Sequence, residues 1–313
     1  MNILFYMPQA DAAAWLHDFA RALPEAGLRK WQAGDTAPAD FAVVWRPPRE
    51  MFAGRDDLRA VFNLGAGVDA ILALEKEHPG TLPCNAPVVR LEDTGMAAQM
   101  AEYVTHAVLG YMRRFDEYAR LQAERRWHVL DPHPRDTFAV GVLGLGVLGA
   151  HVAKTVASFG LPVRGYSRSA RQIDGVTTYA GEAQFDAFLD GVKVLVNLLP
   201  HTPDTRDVLN TRTFAKLAHG AWLVNVARGA HLVEADLLDA LERGQIAGAT
   251  LDVFHEEPLP PDHPFWRDPR ITITPHISAL TLREESVAQV ARKIEALMRG
   301  EAISGVVDIA RGY

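Results

Sequence analysis

The chain has 313 residues, 48% of them hydrophobic, which is long and apolar enough to bury a full core and to form about two domains. Its 32 basic and 39 acidic residues give a net charge of -7, so neither nucleic acid nor an anionic membrane surface is expected as a partner. The single cysteine, Cys84, excludes an internal disulfide and a cysteine-rich metal site, and a chain with one cysteine fits a reducing compartment. The ordinary structural role of Cys84 would be that of a small apolar side chain that packs beside Pro83.

The chain starts with "MNILFYMPQ", which has neither a basic leader nor a cleavage signal. No run along the sequence reaches the ~18 apolar residues that a membrane span needs. We therefore expect a cytoplasmic protein without a membrane partner.

Four short apolar runs alternate with helical periodicity in the first third of the chain. They are "ILFY" (3–6), "FAVVW" (41–45), "AVFNL" (60–64) and "PVVRL" (87–91). This alternation is typical of βαβ units that form a parallel sheet. The next segment, "MAAQMAEYVTHAVLGYMRRFDEY" (96–118), predicts one long helix, which suits a hinge or a dimer face and is followed by the polar "DPHPRD".

A second series of apolar runs follows and predicts a second parallel sheet. It starts at "FAVGVLGLGVLG" (138–149) and continues through "LPVRGYS", "VKVLVNLLP", "AWLVNVA", "AGATLDVF" and "RITITPH". A last helix is expected at about 281–299. The sequence thus predicts two doubly wound α/β domains, one formed by residues 1–99 with 280–313 and the other by 100–279, with the active site in a cleft between them.

A glycine-rich motif, "GLGVLG", lies directly between a predicted strand and a predicted helix. It comprises Gly144, Leu145, Gly146, Val147, Leu148 and Gly149. In this context Gly144 permits a tight turn, Gly146 lets a pyrophosphate approach the backbone, and Gly149 lets the helix pack on the strand. The motif predicts a dinucleotide site at a helix N-terminus.

The segment "YSRSAR" stands where an NAD site carries an acidic residue for the ribose 2′-hydroxyl. Ser167, Arg168 and Ser169 bring no carboxylate that would repel a 2′-phosphate, and they supply donors that can bind it, with Arg171 close by in sequence. We predict NADP(H) as the cofactor. A solvated basic turn would leave the choice between NADP and NAD open.

Three polar residues follow the later strands of the second series: Arg228 in "NVARG", Glu257 in "LDVFHEEPLP" and His276 in "ITITPHISA". Carboxyl ends of parallel strands meet at one sheet edge, so we expect these side chains near each other. Reduction of a 2-oxo acid needs a cation for the carboxylate and carbonyl, and an acid for the new hydroxyl. Arg228 and His276 fit these roles, and Glu257 can hydrogen-bond His276 and stabilise its protonated form.

Each of these residues also has an ordinary structural explanation, as a turn arginine, a surface glutamate or a histidine that caps a strand. Asp252 suits a contact with the nicotinamide amide or a turn cap equally well. No H-x-H, H-E-x-x-H or C-x-x-C motif occurs, so no metal is expected.

The chain resembles the D-isomer-specific 2-hydroxyacid dehydrogenases, and within them the glyoxylate/hydroxypyruvate reductase A branch, from end to end. The motifs that carry the resemblance are "LGAGVD", "RLEDTGM", "YSRS", "LLPHT", "NVARG", "LDVFHEEPLP", "TPHI" and the closing "ARGY". The resemblance implies that Arg228 binds and polarises the substrate, that His276 donates the proton and that Glu257 is its partner. It also implies cofactor contacts from Leu199, Pro200, Val226 and Ala227.

For the substrate, the resemblance implies that the loop Leu64, Gly65, Ala66 and Gly67 presents peptide N–H groups to the carboxylate. The expected activity is reduction of glyoxylate or hydroxypyruvate with NADPH by a homodimer. Trp45 is a candidate wall of the side-chain pocket, although a core position fits it equally well. A reductase for a bulkier 2-oxo acid and a dinucleotide-sensing protein without turnover remain alternatives.

Overall fold

The computed structural model describes residues 1–8, 12–309 and 311–312. Ala310 and Tyr313 of the closing "ARGY" lie outside the described residues. The strands are β1 (Asn2–Tyr6), β2 (Gly27–Lys30), β3 (Phe41–Val44), β4 (Ala60–Asn63), β5 (Val88–Arg90), β6 (Ala139–Leu143), β7 (Val163–Ser167), β8 (Thr177–Ala180), β9 (Val192–Asn197), β10 (Ala221–Asn225), β11 (Ile246–Leu251) and β12 (Ile271–Ile273). The helices are α1 (Ala12–Ala22), α2 (Asp69–Glu77), α3 (Met96–Met112), α4 (Phe115–Ala123), α5 (Val147–Ala157), α6 (Phe185–Leu189), α7 (Thr211–Phe214), α8 (Glu234–Glu242) and α9 (Arg283–Met298).

The chain divides into two compact units, Met1–Gly95 with Thr281–Tyr313 and Met96–Leu280. The first unit has a five-stranded sheet in the order β2-β1-β3-β4-β5, and every strand pair is parallel. Its order reverses at β1 and β3, and ligands of such sheets bind at the carboxyl ends of the strands at this point. Every residue of β3 and β4 is buried, which explains their continuous apolar sequences.

The second unit has a seven-stranded parallel sheet in the order β12-β11-β10-β9-β6-β7-β8. Its order reverses between β6 and β9, so the switch point lies where the glycine-rich loop follows β6. Helix α3 packs against α5 beside this sheet. The predicted fold class of two doubly wound parallel sheets is confirmed.

Two details differ from the sequence prediction. Strands β2 and β8 were not expected, because both are edge strands with few buried side chains and therefore lack an apolar run. The prediction of one helix over 96–118 was wrong: α3 ends at Met112 and α4 begins at Phe115. Arg114 between them has a left-handed backbone with φ of 59°, which interrupts the helix, and its guanidinium binds Glu117 and the Asp131 carbonyl.

None of the described helices combines the length and apolar character that crossing a bilayer requires.

Candidate active site

The glycine-rich loop begins where β6 ends and leads into α5. A β-carbon at position 149 would lie 1.8 Å from the Gly144 carbonyl oxygen, so only glycine allows α5 to approach the strand this closely. Gly146 is the N-cap of α5, and a β-carbon there would meet no protein atom within 4 Å. The loop thus combines an open side at Gly146 with the N–H groups of a helix N-terminus, which fits a pyrophosphate.

Not every residue of the motif faces this open side. The Leu145 side chain is buried and occupies the space beside Gly165 of β7, whereas the Val147 side chain is exposed. Leu148 packs against the core cluster of the second unit. Any contact of Leu145 with a cofactor would therefore come from its main chain.

The turn after β7 presents basic and hydroxyl groups. Ser167 is nearly buried, and its hydroxyl donates a hydrogen bond of 2.8 Å to the Ser169 carbonyl. Arg168, Ser169 and Arg171 are exposed, and no acidic residue occurs between positions 167 and 171. This composition suits a 2′-phosphate better than a free 2′-hydroxyl.

Two further loops meet the same sheet edge. After β9, Leu199 and Pro200 are half-buried, and after β10, Val226 and Ala227 are buried. Their side chains contribute to packing, so the peptide groups are the parts of Val226 and Ala227 best suited to bind a ligand.

Arg228 follows directly and is half-buried. One of its guanidinium nitrogens donates to the Ala227 carbonyl at 2.6 Å. The next residue, Gly229, lies so close to the main chain of Phe254 that a β-carbon would come within 1.9 Å of it. The Arg228 loop is thereby packed against the start of the loop that carries Glu257.

Glu257 and His276 form a direct pair. The Glu257 Oε2 lies 2.8 Å from His276 Nδ1, and Glu257 Oε1 accepts a hydrogen bond of 3.0 Å from the Phe254 N–H. Because Nδ1 is bound to the carboxylate, Nε2 is the ring nitrogen that can exchange a proton with another molecule. The predicted partners are therefore brought together, with the imidazole half exposed.

The pKa of the Glu257 carboxyl reflects its surroundings. Burial raises it, but the hydrogen bonds from His276 and the Phe254 N–H and the positive charge of Arg228 outweigh burial and hold the pKa below its usual range. Glu257 therefore stays an anion beside the imidazole. Arg228 is close enough to contribute to this effect, which links all three predicted catalytic residues.

His276 has a backbone φ of 56°, which is uncommon for a residue with a side chain. Asp252 holds this turn. Its fully buried carboxylate accepts hydrogen bonds from the Thr274 hydroxyl at 2.6 Å and from the N–H groups of Ile277 and Ser278, both at 2.8 Å. Asp252 thus fixes the loop that carries His276, and its contact with a nicotinamide amide stays a prediction.

Tyr103 on α3 extends this network, because its hydroxyl lies 2.5 Å from the Thr274 hydroxyl. Burial, opposed by the hydrogen bond with Thr274 and reinforced by the charge of Asp252, raises the pKa of Tyr103 to about 12. The phenol therefore stays protonated over the working pH range and supports the His276 turn as a neutral group.

In the first unit, Trp45 and the loop Leu64–Gly67 follow the neighbouring strands β3 and β4. The Trp45 ring lies over Gly65, where a β-carbon would come within 2.4 Å of it. The Arg46 guanidinium stacks on the same ring at 5.7 Å from its centroid. Trp45 is half-buried and next to the predicted carboxylate loop, which favours a role at the pocket over a purely core position.

Sequence reasoning missed four buried polar residues near these loops: Asn63, Asn197, Asn225 and His231. The three asparagines had a detectable signal, because each is a single amide within an apolar run. His231 had none beyond its place after "NVARG".

Comparison with known proteins gives consistent matches. Residues 105–278 match the family model described as the NAD binding domain of D-isomer specific 2-hydroxyacid dehydrogenases. The glyoxylate/hydroxypyruvate reductase A of Serratia proteamaculans is 58% identical, over 100% of both chains. A D-isomer specific 2-hydroxyacid dehydrogenase from Xanthobacter autotrophicus, solved with NADPH and MES, superposes with a TM-score of 0.93 at 38% identity, covering 100% of this chain and 99% of the other. The NADPH-dependent glyoxylate/hydroxypyruvate reductase of Sinorhizobium meliloti, solved with NADP and sulfate, gives 0.91 at 35% identity with the same coverage.

Proposed function

The chain belongs to the family of D-isomer specific 2-hydroxyacid dehydrogenases, and we propose that it reduces glyoxylate to glycolate and hydroxypyruvate to glycerate with NADPH. The observation that carries this proposal is the Glu257–His276 pair beside Arg228, at the sheet edge where the glycine-rich loop begins. A cation and a proton donor at one edge are what reduction of a 2-oxo acid requires.

The cofactor, NADPH, supplies the hydride. Among this chain's residues, Gly146 and the N-terminus of α5 suit its pyrophosphate, and Ser167 and Arg168 suit its 2′-phosphate. The complexes of the Xanthobacter and Sinorhizobium proteins with NADPH and NADP support this choice.

The three side chains then have separate tasks. Arg228 binds the substrate carboxylate and polarises the carbonyl, for which a guanidinium with several donors is suited. His276 gives a proton from Nε2 to the developing alkoxide, while Glu257 orients the ring through Nδ1 and stabilises the imidazolium.

The two units divide the binding tasks in this proposal. Residues 1–99 with 280–313 bind the substrate carboxylate through the Leu64–Gly67 loop, and residues 100–279 bind the cofactor. Trp45 limits the size of the substituent on the 2-oxo acid, because its ring already covers Gly65.

We also propose a homodimer in the cytoplasm. None of the residues of α4 is buried, and Trp127 and Val129 just after it are exposed, which suits a surface covered by a second copy. The exposed free thiol of Cys84 suits a reducing compartment. Light scattering with size-exclusion chromatography should give twice the chain mass, and Trp127→Ser should shift the protein toward the monomer.

A spectrophotometric assay tests the activity. Consumption of NADPH and of NADH is followed by the absorbance of the reduced nicotinamide, with glyoxylate, hydroxypyruvate and phenylpyruvate as substrates. Steady turnover of the two small acids with NADPH is expected. Preference for phenylpyruvate would indicate a reductase for bulkier acids, and binding of NADPH without turnover of any acid would indicate a sensor.

A further inference from the structure

Three strands of the two sheets end in the same way, with a buried asparagine as their last residue. Asn63 ends β4, Asn197 ends β9 and Asn225 ends β10, and each side chain is at most 2% exposed. Each strand leads into one of the loops assigned to substrate, cofactor or catalysis. A buried amide is costly unless its hydrogen bonds are made, so its partners indicate what it does.

Asn225 binds the main chain of the loop that carries Arg228. Its Oδ1 accepts from the Ala227 N–H at 3.3 Å, and its Nδ2 donates to the Arg228 carbonyl at 3.1 Å. The side chain thus holds two peptide groups of this loop, the one before Ala227 and the one after the Arg228 α-carbon. The direction in which the guanidinium leaves the loop follows from this main-chain orientation.

Asn197 joins the two loops of this edge. Its Oδ1 accepts from the Leu199 N–H at 3.2 Å, which assigns its Nδ2 as the donor to Asn225 Oδ1 at 3.0 Å and to His231 Nδ1 at 2.8 Å. The main-chain N–H of His231 in turn donates a hydrogen bond to the Arg228 carbonyl at 3.3 Å. The Asn225 side chain and the His231 main-chain N–H therefore both bind the Arg228 carbonyl, and Asn197 fixes the side chains of Asn225 and His231.

Asn63 acts in the same way in the first unit. Its Nδ2 donates to the carbonyls of Gly65 at 3.1 Å and Gly67 at 2.9 Å. In a trans peptide the carbonyl and the N–H of the next residue point in opposite directions. The N–H groups of Ala66 and Val68 are therefore directed away from Asn63, as donors to an anion on the other side of the loop.

We propose that Asn63, Asn197 and Asn225 are positioning residues, which set the peptide orientation of the loops that bind the 2-oxo acid, contact the cofactor and carry Arg228. The proposal rests on the function proposed above. An amide is suited to this task because one side chain holds a donor and an acceptor in fixed geometry. Aspartate has the same shape but no donor, so it separates the hydrogen-bond role from packing.

The first experiment is a double-mutant cycle on glyoxylate reduction with Asn225→Asp and Arg228→Lys. Asn225→Asp keeps the acceptor for Ala227 but faces the Arg228 carbonyl with an oxygen, so kcat/KM should fall about 10- to 100-fold through misplacement of the arginine. In the Arg228→Lys background the same change should cost less than about threefold, because the guanidinium that it positions is already absent. Equal losses in both backgrounds would contradict positioning.

The second experiment uses Asn63→Asp, which removes both donors to the substrate loop. KM for glyoxylate and the Kd of oxamate, a 2-oxo acid analogue, should rise at least about tenfold while the Kd of NADPH stays within about twofold. Unchanged oxamate binding would overturn the proposal for this loop. This arm also decides the matter if Asn225→Asp does not fold, since the two residues lie in different units.

Asn210→Asp is the matched control. Asn210 also donates from Nδ2 to a backbone carbonyl, that of Asp207 at 2.7 Å, and accepts from the Thr213 N–H as the N-cap of α7. It lies outside the loops assigned to the site, so glyoxylate kinetics should stay within about twofold of wild type. A loss as large as that of Asn225→Asp would show that any such change damages the enzyme. Absence of turnover in the wild type would instead reject the proposed function and leave the oxamate measurement on Asn63→Asp as the test.

Discussion

Gly146→Ala separates cofactor binding from folding, because the protein leaves this position open. Gly146 has φ of -68° and ψ of -166°, which alanine adopts without strain, and no protein atom lies within 4 Å of the site of its β-carbon. The substitution also restricts the unfolded chain, which is worth roughly 0.4–1 kcal/mol of stability. Gly146 is also the N-cap of α5, where alanine is less favourable than glycine and offsets this gain, so we expect a melting temperature close to that of the wild type.

The same methyl group should weaken NADPH binding strongly. It occupies the side of the loop on which a pyrophosphate must approach the N–H groups of α5. The methyl carbon keeps the phosphate oxygens farther from the loop than hydrogen bonds to these N–H groups allow. Loss of one charge-assisted hydrogen bond costs roughly 1.5–3 kcal/mol, which raises Kd about 10- to 150-fold.

The assay is a fluorescence titration with NADPH, paired with thermal unfolding of the same samples. Gly149→Ala is the contrasting variant, since its β-carbon would lie 1.8 Å from the Gly144 carbonyl oxygen and should lower the melting temperature. A Gly146→Ala protein that binds NADPH like the wild type would refute the placement of the pyrophosphate. One that melts well below the wild type would refute the openness of the position.

Four further predictions concern the remaining site residues. His276→Ala should lower the rate of reduction by roughly 10²–10⁴ with NADPH binding retained. Ser167→Asp combined with Arg168→Gln should shift the ratio of kcat/KM toward NADH, since a carboxylate repels the 2′-phosphate. Trp45→Ala should narrow the preference for glyoxylate over phenylpyruvate. Because the pKa of Glu257 is held below its usual range, the Glu257 carboxylate stabilises the folded state above the ordinary carboxyl pKa, and this contribution is lost as pH falls through the lowered value. The difference in unfolding free energy between wild type and Glu257→Gln should therefore shrink in acid.

The sequence was informative wherever burial and backbone chemistry leave a local pattern. Strands such as β3 and β10, buried on both faces, read as continuous apolar runs, and the spacing of glycines identified the loop after β6. Strands β2 and β8 left no such pattern, because none of their residues is buried and neither strand therefore needs an apolar run. The break between α3 and α4 was also invisible, since Arg114 is an ordinary helix former, and its left-handed backbone and its contacts with Glu117 and Asp131 appear only in the folded chain.

The candidate site divides along the same line. Arg228, Glu257 and His276 could be predicted, because they follow apolar strands whose carboxyl ends share an edge. The asparagines that hold these loops were missed because a lone amide in an apolar run carries no sign of its partner. Those partners are peptide groups of other loops, and only the folded chain brings them together.

Asp252 shows how a buried carboxylate holds the loop that carries His276. The left-handed turn at His276 costs roughly 1–2 kcal/mol for a residue with a side chain. Asp252 offsets this with three hydrogen bonds to a buried carboxylate, each worth roughly 1.5–3 kcal/mol, and its own carbonyl accepts from the His276 N–H at 2.9 Å. The turn is therefore held independently of any ligand, so the imidazole is already oriented when a substrate arrives. The predicted contact between Asp252 and the nicotinamide amide would have to use carboxylate lone pairs that these three hydrogen bonds leave available. Such a contact would leave the hydrogen bonds that hold the His276 turn in place.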